Sequence, residues 1–203
     1  MVIDVGDYVK SDISQPVIID LLRGSTTVVT LLSCMTEKIV PLSNLCLLPV
    51  LKLRYPQGIL VGERRGRKIP GFTFSNSPTE IIERRDSLHG KTIIHKTTFL
   101  TRYLHRLKRY KGLLAGLVNL DAIVGRIQNS EGNYTLIPCG CPEDEVVAYY
   151  ILSRLRKKEM SPNARTILNK YHTKDLTKII LNSKSAQTLR KLGYSKDIEL
   201  ALS

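Results

Sequence analysis

The chain has 203 residues, of which 42% are hydrophobic and 24% are charged, a balance that is ordinary for a globular protein with an ample core. No apolar run reaches the roughly 18 residues that a membrane-spanning helix requires, and the first residues lack the basic and apolar regions of a secretory signal, so we expect a cytoplasmic protein with no membrane partner. The formal net charge of +13 favours an anionic partner, either a small substrate or a nucleic acid.

The cysteines argue against a zinc site, and the basic residues do not decide which anion the protein binds. The cysteines do not form two matched C-x-x-C pairs, so we expect free thiols and no structural zinc site. They are Cys34, Cys46, Cys139 and Cys141. Lysines and arginines are spread along the chain, a distribution typical of solvated helix faces. A surface for a polyanion stays open as the alternative.

The first predicted elements form a cradle for an anion. Residues 17–19 are apolar and β-branched, which indicates a buried strand that ends in Asp20. A polar turn follows, and a helix is predicted from Thr26 to Leu32. A helix N-terminus that follows a strand and a turn presents free backbone N–H groups to an anion.

Strands and helices alternate along the rest of the chain. Strands are predicted at 38–42, 59–62, 91–95 and 134–137, with a further apolar run at 112–118. Helices are predicted to start at Ser77-Pro78, to cover 99–110 and 142–158, and to continue from Ser161 to the end with a break near Gly193. Residues 43–55 are predicted to be a degenerate helix or a loop.

This alternation predicts an α/β fold, a layered domain with a mixed, mostly parallel sheet flanked by helices. We expect a single domain over residues 1–203, and the pattern allows two sub-lobes of about 1–90 and 91–203. Ligands of such sheets bind beyond the carboxyl ends of the strands. Polar residues at these ends are therefore expected to converge on one site. They are Asp20, Arg23, Glu63, Arg64, Thr97, Thr98, Cys139 and Gly140.

The segment 60–78 concentrates the chemistry of an anion site. It contains Glu63, three arginines, three glycines and the turn Ser75-Asn76-Ser77-Pro78. Glycine lets backbone N–H groups approach a ligand closely, and guanidinium groups match phosphate and sulfonate oxygens. Turn residues that carry such groups favour a binding site over a plain connector.

Four collinear motifs resemble the 2-phosphosulfolactate phosphatase family. They are PVIIDLLRGSTT at 16–27, GERRGRKIPGF with SNSP within 62–78, GKTIIHKTT at 90–98 and GLVNLDA at 116–122. The similarity extends from about residue 16 to the C-terminus, so it covers nearly the whole chain.

The resemblance implies an α/β enzyme that hydrolyses 2-phospho-3-sulfolactate to sulfolactate and phosphate. It also implies Mg²⁺ as cofactor and a place in coenzyme M biosynthesis. The expected partner is thus a small anionic phosphorylated substrate, and we expect a homo-oligomer. The substrate carries a phosphate, a carboxylate and a sulfonate, which arginines and backbone amides can hold.

The site residues follow from the strand ends together with these motifs. The catalytic candidates are Asp20, Glu63 and Asp144, and which of them is nucleophile, base or ligand is left open. Mg²⁺ prefers hard oxygen ligands, and its candidates are Asp20, Glu63 and Glu143, with Asp144 as a further carboxylate. The substrate-binding candidates are Arg23, Ser25, Thr26, Arg64, Asn76, Ser77, Thr97, Thr98, Cys139 and Gly140. The four histidines show no ligand spacing, so a catalytic histidine is not expected.

Several turns depart from the pattern of the family. Phe99-Leu100 stands where the family has Asn-Gly, and Arg65 stands where it has glycine. The turn Cys139-Gly140-Cys141 is shorter than its family counterpart. We expect turns with such changed residues either to alter the substrate or to abolish catalysis, unless the active site tolerates the changes.

Two other hypotheses therefore stand beside the phosphatase. One is a catalytically silent relative that binds an anion or a protein partner. The other is a nucleic-acid-binding protein, whose binding would depend steeply on salt. Residues 114–122 also resemble the core motif of LAGLIDADG homing endonucleases, but this single short motif leaves the other motifs unexplained.

Overall fold

The computed structural model describes residues 1–9, 14–107 and 110–203, and its strands and helices alternate as predicted. The strands are β1 (Val2–Val5), β2 (Ser14–Ile19), β3 (Lys38–Pro41), β4 (Ile59–Arg64), β5 (Arg67–Lys68), β6 (Thr92–Lys96), β7 (Leu113–Ala115), β8 (Asn133–Pro138) and β9 (Glu159–Met160). The helices are α1 (Gly24–Ser33), α2 (Leu48–Arg54), α3 (Pro78–Glu83), α4 (Arg85–Leu88), α5 (Leu100–Arg106), α6 (Leu120–Gln128), α7 (Pro142–Arg154), α8 (Pro162–Tyr171), α9 (Leu176–Leu181), α10 (Lys184–Lys191) and α11 (Ser195–Ala201). Short 3₁₀ turns cover Leu45–Leu47 and Leu117–Asn119.

The strands form two sheets. The first has the order β7-β2-β8-β1-β9, and all of its pairs are parallel. The second has the order β3-β6-β4-β5, in which only the β4–β5 hairpin is antiparallel. The predicted α/β class with mostly parallel strands is confirmed. Both sheets draw strands from both sides of residue 90, and the division into sub-lobes stays a prediction.

The main core lies between the first sheet and the helices that cover it. Val17 and Ile19 of β2 and Leu136 of β8 are fully buried with Val147 and Ile151 of α7. Burial of each such side chain contributes about 1.5–3 kcal/mol. The apolar residues of the central strands thus anchor β2 and β8, whose carboxyl ends carry the polar residues described below.

The structure differs from the sequence predictions at several elements. Strands β1 and β9 and helix α6 were not predicted, and the helix predicted to end at residue 158 ends at Arg154. The predicted basic helix 99–110 extends over Leu100–Arg106, and residues 108–109 of that prediction lie outside the described residues. The helical stretch predicted from residue 161 onward is four helices, and its predicted break near Gly193 is present between α10 and α11. The side chains of Ser161, Asp175 and Ser183 each cap a new helix start there, which ends the preceding helix.

No helix in the described part of the chain combines the length and the apolar character that crossing a bilayer demands.

Glycine at one strand position is required by packing. Strands β4 and β6 pair at Gly62 and Lys96, and a Cβ atom on Gly62 would lie 2.3 Å from the Lys96 carbonyl oxygen. A Cβ atom on Gly125 in α6 would meet nothing within 4 Å.

We therefore expect opposite effects from two alanine substitutions. Gly62→Ala should lower the free energy of unfolding by about 1–3 kcal/mol because the strands must separate. Gly125→Ala should raise it by roughly 0.5–1 kcal/mol because alanine restricts the unfolded chain more than glycine does. Equilibrium unfolding in urea measures both values, and a neutral Gly62→Ala would contradict the strand pairing.

Candidate functional site

A cavity of about 340 Å³ opens where strands of both sheets end. Asp20 follows β2, Glu63 lies near the end of β4, Thr97 and Thr98 follow β6, and Cys141 follows β8, and all of them line the cavity. A volume of this order suits a small ligand. The carboxyl ends of the strands therefore meet at one site, as the parallel topology predicts.

The turn between β2 and α1 holds Asp20 in the floor of the cavity. The Gly24 N–H donates to Asp20 Oδ1 at 3.1 Å, and the Asp20 N–H donates to Ser25 Oγ at 3.0 Å. A Cβ atom on residue 24 would lie 2.4 Å from Asp20 Oδ2, so glycine is required at that position. Burial, followed by the charges of Glu63 and Glu143, raises the pKa of Asp20 to about 6.

Asp144 positions this turn from helix α7. Its Oδ1 accepts the Leu21 N–H at 2.8 Å, and Asp144 does not line the cavity. Burial and then the charge of Asp20 raise the pKa of Asp144 well above its ordinary value. The structure thus gives this predicted catalytic residue a supporting contact to the backbone of the turn.

Glu143 does not line the cavity either, but it is the most unusual carboxylate near it. Its side chain belongs to a residue that is 1% exposed, and neither of its carboxylate oxygens has a hydrogen-bond partner. Its charge raises the pKa of both Asp20 and Asp144, so it lies close to them. A buried carboxylate without partners is costly, and a bound cation would remove that cost.

Glu63 joins the two loops at the mouth of the cavity. One of its carboxylate oxygens accepts the Thr98 N–H, and the other accepts the Gly66 N–H at 2.6 Å. Arg64, the next residue, is exposed and does not line the cavity. Glu63 therefore fixes the β4–β5 turn against the segment that follows β6.

The donor set fits Mg²⁺ in its chemistry. It offers carboxylate oxygens, and the two oxygens of Glu143 are unused. Among the described residues, however, no three Asp, Glu, His or Cys side chains are grouped to bind one ion. Mg²⁺ usually binds one or two protein carboxylates and completes its shell with water and substrate phosphate. Asp20 and Glu143 are the residues best suited to that arrangement.

Arg23 lies in the cavity wall, and other protein groups already engage its guanidinium group. Nη1 lies 2.7 Å from Asp197 Oδ2 in a fully buried ion pair, and Nη2 donates to the Gly66 carbonyl at 2.9 Å. The guanidinium carbon also lies 4.3 Å from the centre of the Tyr194 ring. Arg23 therefore ties the β2–α1 turn to the C-terminal helix α11 as well as lining the site.

Other predicted site residues hold the turns around this centre in place. Thr26 Oγ1 donates to the Leu21 carbonyl at 2.8 Å, and Ser77 Oγ donates to Asp197 Oδ1 at 2.6 Å. Thr97 Oγ1 accepts the Thr101 N–H at 3.2 Å. These contacts shape the turns, and of these predicted residues only Thr97 lines the cavity.

Asn76 keeps a donor available for a ligand. It lines the cavity, and its Oδ1 lies 2.8 Å from His95 Nε2. Burial lowers the pKa of His95 to about 3, so the imidazole is neutral and must donate its Nε2–H to that oxygen. The NH₂ group of Asn76 is then the end of the amide that can donate to an anion.

The turns that depart from the family pattern lie against each other. Leu100 and Cys139 are buried in one apolar cluster with Ile18 and Val28, while Phe99 is 47% exposed and lines the cavity. Gly140 has a φ of 99° and does not line the cavity. Burial and then the charge of Asp20 raise the pKa of the Cys139 thiol, which keeps it protonated. The two changed turns therefore contribute to one buried apolar cluster.

Comparison with known proteins identifies the family. A family model described as 2-phosphosulpholactate phosphatase matches residues 6–203. The chain belongs to the 2-phosphosulfolactate phosphatase family. The resemblance drawn from the sequence motifs is confirmed, and the family is one of phosphoric monoester hydrolases.

Curated relatives match over most of their own length. The 2-phosphosulfolactate phosphatase of Methanocaldococcus jannaschii is 31% identical over 195 residues, which cover 92% of this chain and 83% of that protein. A probable 2-phosphosulfolactate phosphatase of Carboxydothermus hydrogenoformans is 34% identical over 192 residues, which cover 90% of this chain and 79% of that protein. One from Clostridium perfringens is 30% identical and covers 98% of this chain and 88% of its own.

Sequence reasoning missed part of the cavity wall in this member of the family. Helix α10 contributes residues that no motif marks. The β4–β5 turn contributes Arg65, which the sequence marked as one of three arginines in the segment 60–78 and as a departure from the family pattern, but not as a binding residue. The missed lining residues are Arg65, Lys184, Ser185, Thr188 and Leu189. Asp197 was also missed, because a lone acid in a C-terminal helix carries no local signal of its distant partners.

The Arg23–Asp197 pair gives a test of how the site is held. Asp197→Ala leaves the Arg23 charge buried without a partner, and we expect a loss of about 3–5 kcal/mol in the free energy of unfolding. Asp121→Ala is the matched control, since the Asp121 side chain is 94% exposed in its pair with Arg154, and should cost less than about 1 kcal/mol. Denaturant unfolding of both variants measures the difference. Equal losses in the two variants would show that Asp197 does not stabilise the buried charge of Arg23.

Proposed function

We propose that the protein is a Mg²⁺-dependent phosphatase that hydrolyses 2-phospho-3-sulfolactate, or a closely related small phosphorylated acid, to the free acid and phosphate. The observation that carries the proposal is the buried Asp20 in the wall of a small cavity that basic residues also line, together with the buried, unpartnered carboxylate of Glu143 near Asp20. The family membership and the 83% coverage of the archaeal relative support the same substrate class. With that substrate, a role in coenzyme M biosynthesis would follow.

Hydrolysis replaces the ester P–O bond with a P–O bond to the oxygen of water. The oxygen of a water molecule forms a new P–O bond, the ester P–O bond breaks, and the substrate oxygen leaves as a protonated alcohol. Transition states of this kind are loose, and catalysis depends mainly on positioning and charge. The residues of the site must therefore orient the phosphoryl group and offset its charge.

Asp20 and Glu143 would hold the Mg²⁺ ion. A bound divalent cation supplies positive charge that offsets the negative charge of the transferring phosphoryl group. Both oxygens of Glu63 accept loop N–H groups, so Glu63 orients the loops. Asn76 can donate its NH₂ group to a phosphate oxygen, and Phe99 adds an apolar side to the cavity.

Phosphate release from 2-phospho-3-sulfolactate tests the proposal. We expect turnover that requires Mg²⁺ and falls about 100-fold or more in Asp20→Asn and Glu143→Gln, the order expected when one group that stabilises the transition state is lost. The control Asp86→Asn changes a carboxylate whose side chain is 99% exposed and should leave turnover unchanged.

Two results would contradict the proposal. Absence of turnover by the folded wild-type chain would favour the catalytically silent relative. Full turnover by Glu143→Gln, or by the wild-type chain in the presence of a chelator, would show that catalysis does not require a metal at Glu143. Circular dichroism of each variant separates loss of function from loss of fold.

A further inference from the structure

Both acidic and basic residues line the cavity. Asp20 and Glu63 lie in its wall together with the cations Arg23, Arg65 and Lys184. Arg23 already pairs with a buried carboxylate. Within residues 1–9, 14–107 and 110–203, no ion pair or side-chain hydrogen bond engages the side chains of Arg65 and Lys184. These two charges are therefore available to a ligand.

Arg65 occupies a backbone position that suits glycine or asparagine. Residues 65 and 66 form the two-residue turn between the paired residues Arg64 and Arg67, with φ angles of 55° and 81°. Hairpin turns with two positive φ angles favour Asn-Gly or Gly-Gly, and a side chain other than glycine or asparagine is strained there. Strained residues cluster at functional sites, and the Arg65 side chain lines the cavity.

Helix α10, which carries Lys184 at its start, packs against this turn. Ser183 Oγ accepts the Ala186 N–H at 3.2 Å and caps the helix, while Ala186 and Leu189 are buried in an apolar cluster. A Cβ atom on Gly66 would lie 3.6 Å from Thr188 Cγ2, so the turn that carries Arg65 packs directly against α10. Lys184 and Thr188 line the cavity from this helix.

We propose that Arg65 and Lys184 form a subsite for the anionic groups of the substrate that do not react, such as a carboxylate or a sulfonate. This inference rests on the proposed phosphatase function and deepens it. The phosphoryl group binds near the carboxylates and their cation, so the other anions of a small phosphorylated acid need separate positive charges. The hydroxyl groups of Ser185 and Thr188, which also line the cavity, add hydrogen-bond donors to the subsite.

The subsite makes the enzyme selective for phosphorylated acids over phosphate esters without a second charge. The test compares steady-state kinetics on 2-phospho-3-sulfolactate and on ethyl phosphate. We expect Arg65→Asn and Lys184→Gln to raise KM for the sulfolactate ester by about tenfold with little change in kcat, the pattern of lost ground-state binding. The ratio of kcat/KM between the two substrates should fall by the same factor.

Matched controls lie on the same elements outside the cavity. They are Arg67→Asn on the hairpin and Lys191→Gln on α10, both exposed and absent from the cavity wall. Both should keep the wild-type selectivity. Because asparagine suits a positive φ, Arg65→Asn should also raise Tm by roughly 2–4 °C. A gain in stability together with weaker substrate binding would show that Arg65 acts on the substrate and does not merely support the fold.

Binding of the product separates failure of the subsite from failure of the phosphatase function. Calorimetry with 3-sulfolactate, which carries both non-reacting anions, should show a dissociation constant about tenfold weaker in Arg65→Asn and Lys184→Gln than in the two controls. This result supports the subsite even if the wild-type chain releases no phosphate. Equal affinity in all variants, or an equal change in KM for both substrates, would overturn the subsite.

Discussion

Burial of the Asp20 carboxyl group beside Glu143 and Asp144 is the interaction on which the site depends. Desolvation and the neighbouring charges raise the pKa of Asp20 to about 6, and the Gly24 N–H offsets only part of that cost. Like charges in a dry environment repel strongly. The arrangement is therefore suited to a cation and a phosphate, whose charges compensate each other and the carboxylates.

The surrounding turns are held by contacts between distant parts of the chain. Arg23 connects the first turn of the site to Asp197 in the last helix, and Asp197 also accepts hydrogen bonds from Ser77 and Thr79. Glu63 connects the β4–β5 turn to the segment after β6. Because these charged side chains are directed at protein groups, they give the cavity a fixed shape before any ligand binds.

Local patterns in the sequence accounted for most of the parallel strands, though not for β1 and β9, and for the polar residues at the strand ends that form the site. Apolar β-branched runs predicted β2 and β6, and the topology rule then brought Asp20 and Thr97 to the same cavity. The position of Lys184 was not predictable, because α10 reaches the site only through tertiary packing. The sequence showed Arg65 where the family has glycine, but it did not show that the β4–β5 turn places Arg65 in the cavity wall. The break near Gly193 was predicted, but the breaks before α9 and α10 were missed because their caps are the single residues Asp175 and Ser183.

The most direct measurement of the central claim is Mg²⁺ binding by calorimetry at a constant, low concentration of inorganic phosphate. We expect the wild-type chain to bind Mg²⁺, Glu143→Gln to bind it at least tenfold more weakly, and Glu145→Gln to bind it as the wild type does. Glu145 lies on the same helix but accepts a hydrogen bond from Tyr171, 2.6 Å away, outside the cavity. Unchanged binding by Glu143→Gln, or no binding by the wild-type chain, would contradict a cation site at the buried carboxylates.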